Sequence, residues 1–182
     1  LYSSDTESAL KIQPQTDGFH YYSQLKAFHD GVTSLGANCD IISESSDFSA
    51  YSVIIAPTMF ITDISVVQRL YSFAEKGGTV VLTNRSGVKD ENNNCIMSPL
   101  PSVYSELAGC TVEEYDPVGW DTAHIAMNGR EYEVTSWCDI LKAGDAEVIA
   151  EYTDRFYKGS PAVTVNSFGK GRCYYAVSYT HL

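Results

Sequence analysis

Cations are scarce in this chain of 182 residues: twelve Lys and Arg stand against twenty-three Asp and Glu, for a formal net charge of −11. A surface this acidic repels phosphate backbones and anionic headgroups, so neither nucleic acid nor a membrane is expected as a partner. No stretch approaches the roughly 18 unbroken apolar residues of a membrane span, and no basic-then-apolar leader opens the chain, which starts at Leu1 rather than Met. The five cysteines (Cys39, Cys95, Cys110, Cys138, Cys173) are odd in number and contain no C-x-x-C pair, so they provide neither a disulfide framework nor a zinc signature. Free thiols in a reducing cytoplasm are the expectation.

Recognisable chemistry is equally sparse. The four histidines (His20, His29, His124, His181) show no H-x-H or H-x-x-x-H spacing that would set two ligands on one face, so neither metal nor cofactor is expected. Gly77-Gly78 and Gly169-x-Gly171 are too short for a phosphate fingerprint and read as a helix stop and a hairpin turn. A nucleophile elbow requires a reactive side chain between small residues on a sharp turn after a strand. The two candidate positions instead read Pro57-Thr58-Met59 and Asn84-Arg85-Ser86-Gly87, with Ser86 as a loose candidate.

What is present is an ordinary globular composition, 44% hydrophobic and 19% charged, in a chain long enough to bury roughly 70% of its unfolded surface. The thirteen tyrosines read as strand and interface residues. In residues 19–35, Tyr22, Leu25, Phe28, Val32 and Leu35 recur at helical spacing, and Gly36 closes the segment. "ANCDII" (37–42) reads as a short buried strand, and "YSVIIA" (51–56) as another, stopped by Pro57. Asp63 is placed to cap a helix whose face is Ile64, Val67, Leu70, Tyr71 and Ala74, and "TVVLT" (79–83) follows the Gly77-Gly78 stop. This alternation predicts an α/β fold: a parallel, flavodoxin-like sheet flanked by helices. A short helix over 102–107 and a strand over 111–115 come next. From Asp116 the texture turns β-rich, ending in a hairpin about Phe168-Gly169-Lys170-Gly171, and these strands are expected to extend the sheet along one edge.

Residues 84–101 lack periodicity and lie after the carboxyl end of a parallel strand, where such folds place ligands or partners. Arg85, Ser86, Lys89, Asp90, Glu91, Asn92 and Asn93 crowd polar groups into this loop. It is either a solvated loop or one docked on another domain or subunit by charge-assisted hydrogen bonds, and the residues alone leave both open.

"FAEKGGTVVLTNRSGVKDENNNCIMSPLP", with "ALKIQPQTDGFHYY", "LGANCDII" and "YSVIIAPTMFITD" before it, closely resembles the trimerisation domain of glycoside hydrolase family 42 β-galactosidases. The likeness is strong over 1–116 and continues through "GSPAVTVNSFGKGRCYYA". It implies a single domain over 1–182, with a parallel core similar to class I glutamine amidotransferases (1–116) and a β-rich extension (117–182). It further implies a homotrimeric parent enzyme whose catalytic glutamates sit in a (β/α)8 barrel absent from this chain. By the same likeness, the parent is a retaining enzyme hydrolysing terminal β-D-galactosides, and no residue of this chain is catalytic. Asp90 and Glu91, adjacent in sequence, cannot flank a glycosidic bond from two sides. Leu1-Tyr2 resembles the tail of a first parallel strand, while the closing "VSYTHL" departs from the family pattern. The rival reading is a stand-alone amidotransferase-like hydrolase with Cys95 or Cys110 as nucleophile.

Overall fold

Local signals set most of the elements in the computed structural model, which describes residues 1–177; residues 178–182, His181 among them, lie outside the described residues. Helix α1 (Ser4–Ile12) begins where the Ser3 hydroxyl accepts from the Thr6 N–H, with Asp5 and Glu7 in its first turn and Lys11 in its last, as the helix dipole favours. Helix α2 spans Tyr21–Ser34, strand β1 Val53–Ala56 and the short β2 Ile61–Thr62. Helix α3 (Ile64–Glu75) is capped by Asp63, whose carboxylate accepts from the Ser65 N–H at 2.7 Å, and it buries Val66, Val67, Leu70 and Ala74. After β3 (Thr79–Thr83) and the two-residue β4 (Lys89–Asp90), a 3-10 turn leads into the single-turn α4 (Ser105–Ala108).

The remaining chain is all strand: β5 (Cys110–Met127), β6 (Arg130–Ala143), β7 (Glu147–Tyr152), β8 (Pro161–Phe168) and β9 (Gly171–Ala176). Seven strands form one sheet in the order β1-β3-β9-β8-β7-β5-β6. It is mixed. β1, β3 and β9 run parallel, while β8, β7, β5 and β6 join β9 through antiparallel pairs. The β-rich strands therefore extend one edge, as expected. The third parallel strand, however, comes from the far end of the chain, and β5 runs through Asp116 without interruption. The hairpin turn is Gly169-Lys170, as read from the sequence; Gly169 has φ +57, and a Cβ there would come within 2.5 Å of the Glu75 Cα.

The main core fills the space between the sheet and α3 and α4, with Leu70, Ala74, Val80, Leu82, Leu107, Cys173 and Tyr175 buried in it. A second cluster joins α1 and α2 to Phe60, Ile61 and Trp137.

Two sequence expectations are corrected. "ANCDII" forms no strand of the sheet: its neighbourhood is tied by a parallel bridge between Tyr2 and Ser43, with the Tyr2 N–H donating to the Ile42 carbonyl, and by the Tyr51 hydroxyl donating to Asp40, and Ile41 is 53% exposed. A strand exists by pairing, and among the described residues no strand of either sheet pairs with 37–42. In α2 the buried residues are Tyr21, Gln24 and Leu25, whereas Tyr22 is 64% and Leu35 82% exposed. The apolar stripe read from spacing is thus rotated from the face that packs.

Candidate docking site at the β3 strand end

The chain leaves β1 and β3 at adjacent carboxyl ends, and hydrogen bonds lock the two exits together. The Thr58 N–H donates to the Thr83 hydroxyl at 2.8 Å, and the Thr58 hydroxyl donates to Oε1 of the buried Gln24 at 2.8 Å. Ser86 is fully buried; its hydroxyl donates to the Thr83 carbonyl at 2.7 Å and accepts from the Met59 N–H at 3.2 Å. These bonds make Ser86 a brace rather than a nucleophile. Gly87 and Lys89 continue the lacing through their N–H groups to the Met59 and Phe60 carbonyls, and β2 pairs with β4 in parallel. Gly87 is required here: φ is +75, and a Cβ would fall 2.1 Å from the Pro101 carbonyl oxygen.

Arg85 sits at this exit in the left-handed region, with φ +60. Its N–H donates to the Asp139 carboxylate at 3.3 Å, and its guanidinium donates to Gln15 Oε1 at 2.5 Å. The guanidinium carbon lies 4.6 Å from the Trp137 ring centroid and 5.5 Å from those of Phe60 and Tyr115, within cation–π range. Burial pulls the Arg85 pKa below the ordinary arginine value, and Asp139 opposes that shift. Lys89 stands alongside: its ammonium donates to Gln13 Oε1 at 2.7 Å and lies 5.9 Å from the Phe60 centroid. Among the described residues neither cation makes a salt bridge. Two cations thus stand on an aromatic floor, held by neutral amides.

Beneath Arg85, the fully enclosed Asp139 accepts from the Tyr175 hydroxyl at 2.8 Å and the Trp137 indole N–H at 2.9 Å. Burial pushes its pKa up, opposed by those two hydrogen bonds and by Arg85. Sequence reading missed Trp137, Asp139, Tyr175, Gln13 and Gln15. The one available signal was the i, i+2 spacing of Trp137 and Asp139, which sets both on one face of β6.

The outer half of the loop is a different object. Asp90 folds it on itself, accepting from the N–H groups of Asn92 and Asn94 at 2.9 and 2.8 Å, and those bonds hold its carboxylate below the usual range. Glu91, Asn92 and Asn93 are exposed, and Met97 beyond them is 95% exposed. The predicted cluster is therefore split: Arg85, Ser86, Lys89 and the backbone of Asp90 are built into the fold, while 91–93 form an exposed turn bonded to the Asp90 carboxylate and carbonyl.

The rival cysteine chemistry finds no support. Cys110 is buried among apolar groups, which push its thiol up to about 11, and Cys95 is an exposed residue of the outer turn. A nucleophilic cysteine needs the opposite shift and a base. Among the described residues no histidine hydrogen bonds to either thiol, and no group of three or more His, Cys, Asp or Glu side chains converges as a metal site. Among them, too, no helix is long and apolar enough to cross a membrane.

The family model described as "Beta-galactosidase trimerisation domain" matches residues 1–181. The β-galactosidase BgaA of Clostridium cellulovorans is 50% identical over 176 residues, covering 96% of this chain and 27% of that protein. The β-galactosidase Pbg of Clostridium perfringens is 33% identical, over 89% of this chain and 25% of its own length. Among solved structures, the β-galactosidase from Bacillus circulans sp. alkalophilus superposes with a TM-score of 0.94 at 29% identity, covering 98% of this chain and 28% of that one. The chain spans about a quarter of the length of the curated relatives it matches. It belongs to the β-galactosidase trimerisation domain family.

Proposed function

We propose that this chain is the non-catalytic assembly domain of a larger cytoplasmic β-galactosidase, which hydrolyses terminal β-D-galactosides with retention in a separate barrel domain and works as a homotrimer. The observation that carries the reading is the family match over residues 1–181 combined with the quarter share of each relative's length. Residues 1–182 then act as one domain, its 1–116 portion a flavodoxin-like, amidotransferase-like core and its 117–182 portion the β-rich extension. The parallel β1-β3-β9 set with α3 against it is compatible with that core.

Within the domain, the assembly surface we assign is the β3-end loop. Arg85 and Lys89 supply fixed cations that make no salt bridge among the described residues, suited to charge-assisted bonds from a neighbouring subunit or the barrel. Asp90, Glu91, Asn92 and Asn93 supply the projecting turn. Deleting residues 1–182 from the parent enzyme is expected to abolish trimers in size-exclusion with light scattering, and Arg85→Ala with Lys89→Ala to weaken them. Trimers of the deleted enzyme at unchanged affinity would end this reading.

A further inference from the structure

Among the described residues, two patches of opposite sign carry charge that no ion pair answers. The first is the strand-end platform, where Arg85 and Lys89 are held by the neutral amides of Gln15 and Gln13. The Arg85 Nε is buried without a hydrogen-bond partner among these residues, and burial pulls the guanidinium pKa down. An anion brought against this group offsets part of that desolvation. Met97, 95% exposed, stands beside the platform, because Lys89 is bridged to Cys95 and the Ile96 N–H donates to the Val88 carbonyl.

The second patch lies on the outer face of β6, β5 and β7. The register sets Glu133 opposite His124, and sets Glu131 and Glu151 on the two sides of Ala126. Ala123, Ile125, Val134 and Tyr152 are buried, so these alternate positions turn to the other face, where all three glutamates are exposed. Opposite charges across a ladder stabilise it and like charges do the reverse. Here three carboxylates share a face, their ladder partners include no Lys or Arg, and none makes a salt bridge among the described residues. His124 reports the resulting field: its pKa is raised chiefly by the hydrogen bond to Asp154, and Glu131 and Glu133 add to the rise. Phe156, 80% exposed, stands at the rim, since Asp154 is bound to His124 and Arg155 to the Thr122 carbonyl.

We propose that the two patches are the two halves of one interface between copies of this chain: Arg85 and Lys89 of one copy receive Glu131, Glu133 and Glu151 of the next. Met97 and Phe156 bring apolar area to the same contact. The inference rests on the assembly reading above and names the partner of that site. A closed ring of three is built from heterologous contacts, in which a patch meets a different patch and never itself. Such a ring therefore needs two complementary surfaces on every copy, and this chain carries one of each sign. At a net charge of −11, copies repel one another over most orientations. Contact is favoured where a cation fixed beforehand meets a carboxylate that has no cation of its own.

The test uses the parent enzyme, with subunit affinity read by light scattering over a dilution series and folding checked by circular dichroism. Glu131→Lys with Glu133→Lys changes exposed side chains and leaves the face net positive; it should weaken assembly at least about tenfold. Arg85→Gln with Lys89→Glu leaves the platform net negative and should do the same. All four changes in one chain restore opposite signs at every contact and should recover at least about tenfold over either pair alone. Mixing the two doubly changed chains should not, because a ring of three cannot alternate two kinds of subunit, and one contact always joins like to like. Parent-like affinity of the acidic-face variant overturns the proposal, and that variant decides alone if the platform variant fails to fold. So do mixed trimers as tight as the parent's, or a fourfold variant no tighter than the double ones. Loss of trimers on deleting residues 1–182 would, in that event, leave the assembly reading standing with a different partner for Arg85.

Discussion

Replacing Asp139 by Ala removes the acceptor on which three donors converge. Tyr175 and Trp137 donate from 2.8 and 2.9 Å, and the Arg85 N–H from 3.3 Å. Each buried donor left unpaired costs about 1–3 kcal/mol, and the longer Arg85 bond belongs at the low end, so the gross loss is about 3–7 kcal/mol. Against this stands relief of the carboxylate's own burial, the cause that raises its pKa. A net loss of about 3 kcal/mol is expected, which for a chain of this size lowers the melting temperature by roughly 6–12 °C. Asp139→Asn keeps the shape and one acceptor, and should lose about 1–2 kcal/mol. Denaturant unfolding followed by circular dichroism reads both values. In a double-mutant cycle with Tyr175→Phe the losses should fall short of additivity by about 1 kcal/mol or more. Full additivity, or an Asp139→Ala protein within about 0.5 kcal/mol of the parent, would refute the account of this cluster.

The same carboxylate gives a signed pH dependence. Its folded pKa lies above its unfolded value, so the folded state binds the proton more tightly. Its contribution to stability is therefore greatest in acid and declines as the pH rises through the folded pKa. Relative to Asp139→Asn, the parent should gain stability as the pH is lowered through that window.

Three other outcomes are expected. His124, paired through Nδ1 with Asp154 at 2.6 Å, has a raised pKa owing chiefly to that hydrogen bond; its contribution is present below the ordinary histidine pKa and lost as the pH rises through the folded one. At this exposure it is worth under about 1 kcal/mol, and an NMR titration should show Asp154→Asn moving His124 down. Iodoacetamide at neutral pH should label exposed Cys95 well before buried Cys110, Cys138 and Cys173; labelling of a buried thiol ahead of Cys95 would revive cysteine catalysis. Gly87→Ala should cost more than about 1 kcal/mol in thermal melts, from backbone strain and from the clash with Pro101.

Elements whose determinants lie within a few residues were legible in the sequence: the Asp63 cap, the Gly77-Gly78 stop and the Gly169-Lys170 turn. Partnerships across distance were not. Nothing local announces that β9, more than eighty residues on, would be the strand beside β3, or that Asp139 would lie under Arg85. Helix α1 carries local signals of its own in Ser3, Asp5, Glu7 and Lys11, yet it is absent from the sequence-based expectations. The α2 stripe misled for a physical reason: Phe28 and Val32 line a cleft beside β1, while the helix packs through Tyr21, Gln24 and Leu25, and periodicity alone does not tell a packed face from one that lines a cleft.

The strand ends show most clearly why the site resists reading from composition. Thr58 and Arg85, on neighbouring parallel exits, both hold the left-handed backbone, at φ +45 and +60, which disfavours side chains other than glycine by of order 1 kcal/mol each. Such strain persists only where surroundings over-determine it. Here Thr83 and Gln24 fix Thr58, and Asp139 and Gln15 fix Arg85. In an enzyme of this architecture a turn so constrained would present a reactive group. In this chain it presents a guanidinium braced on Trp137, whose charge cannot attack a bond but can hold a carboxylate or carbonyl in one orientation. For the docking role proposed for Arg85, the rigidity that catalysis would require of this position serves equally well, since each side chain fixed beforehand is one whose freedom need not be lost on contact.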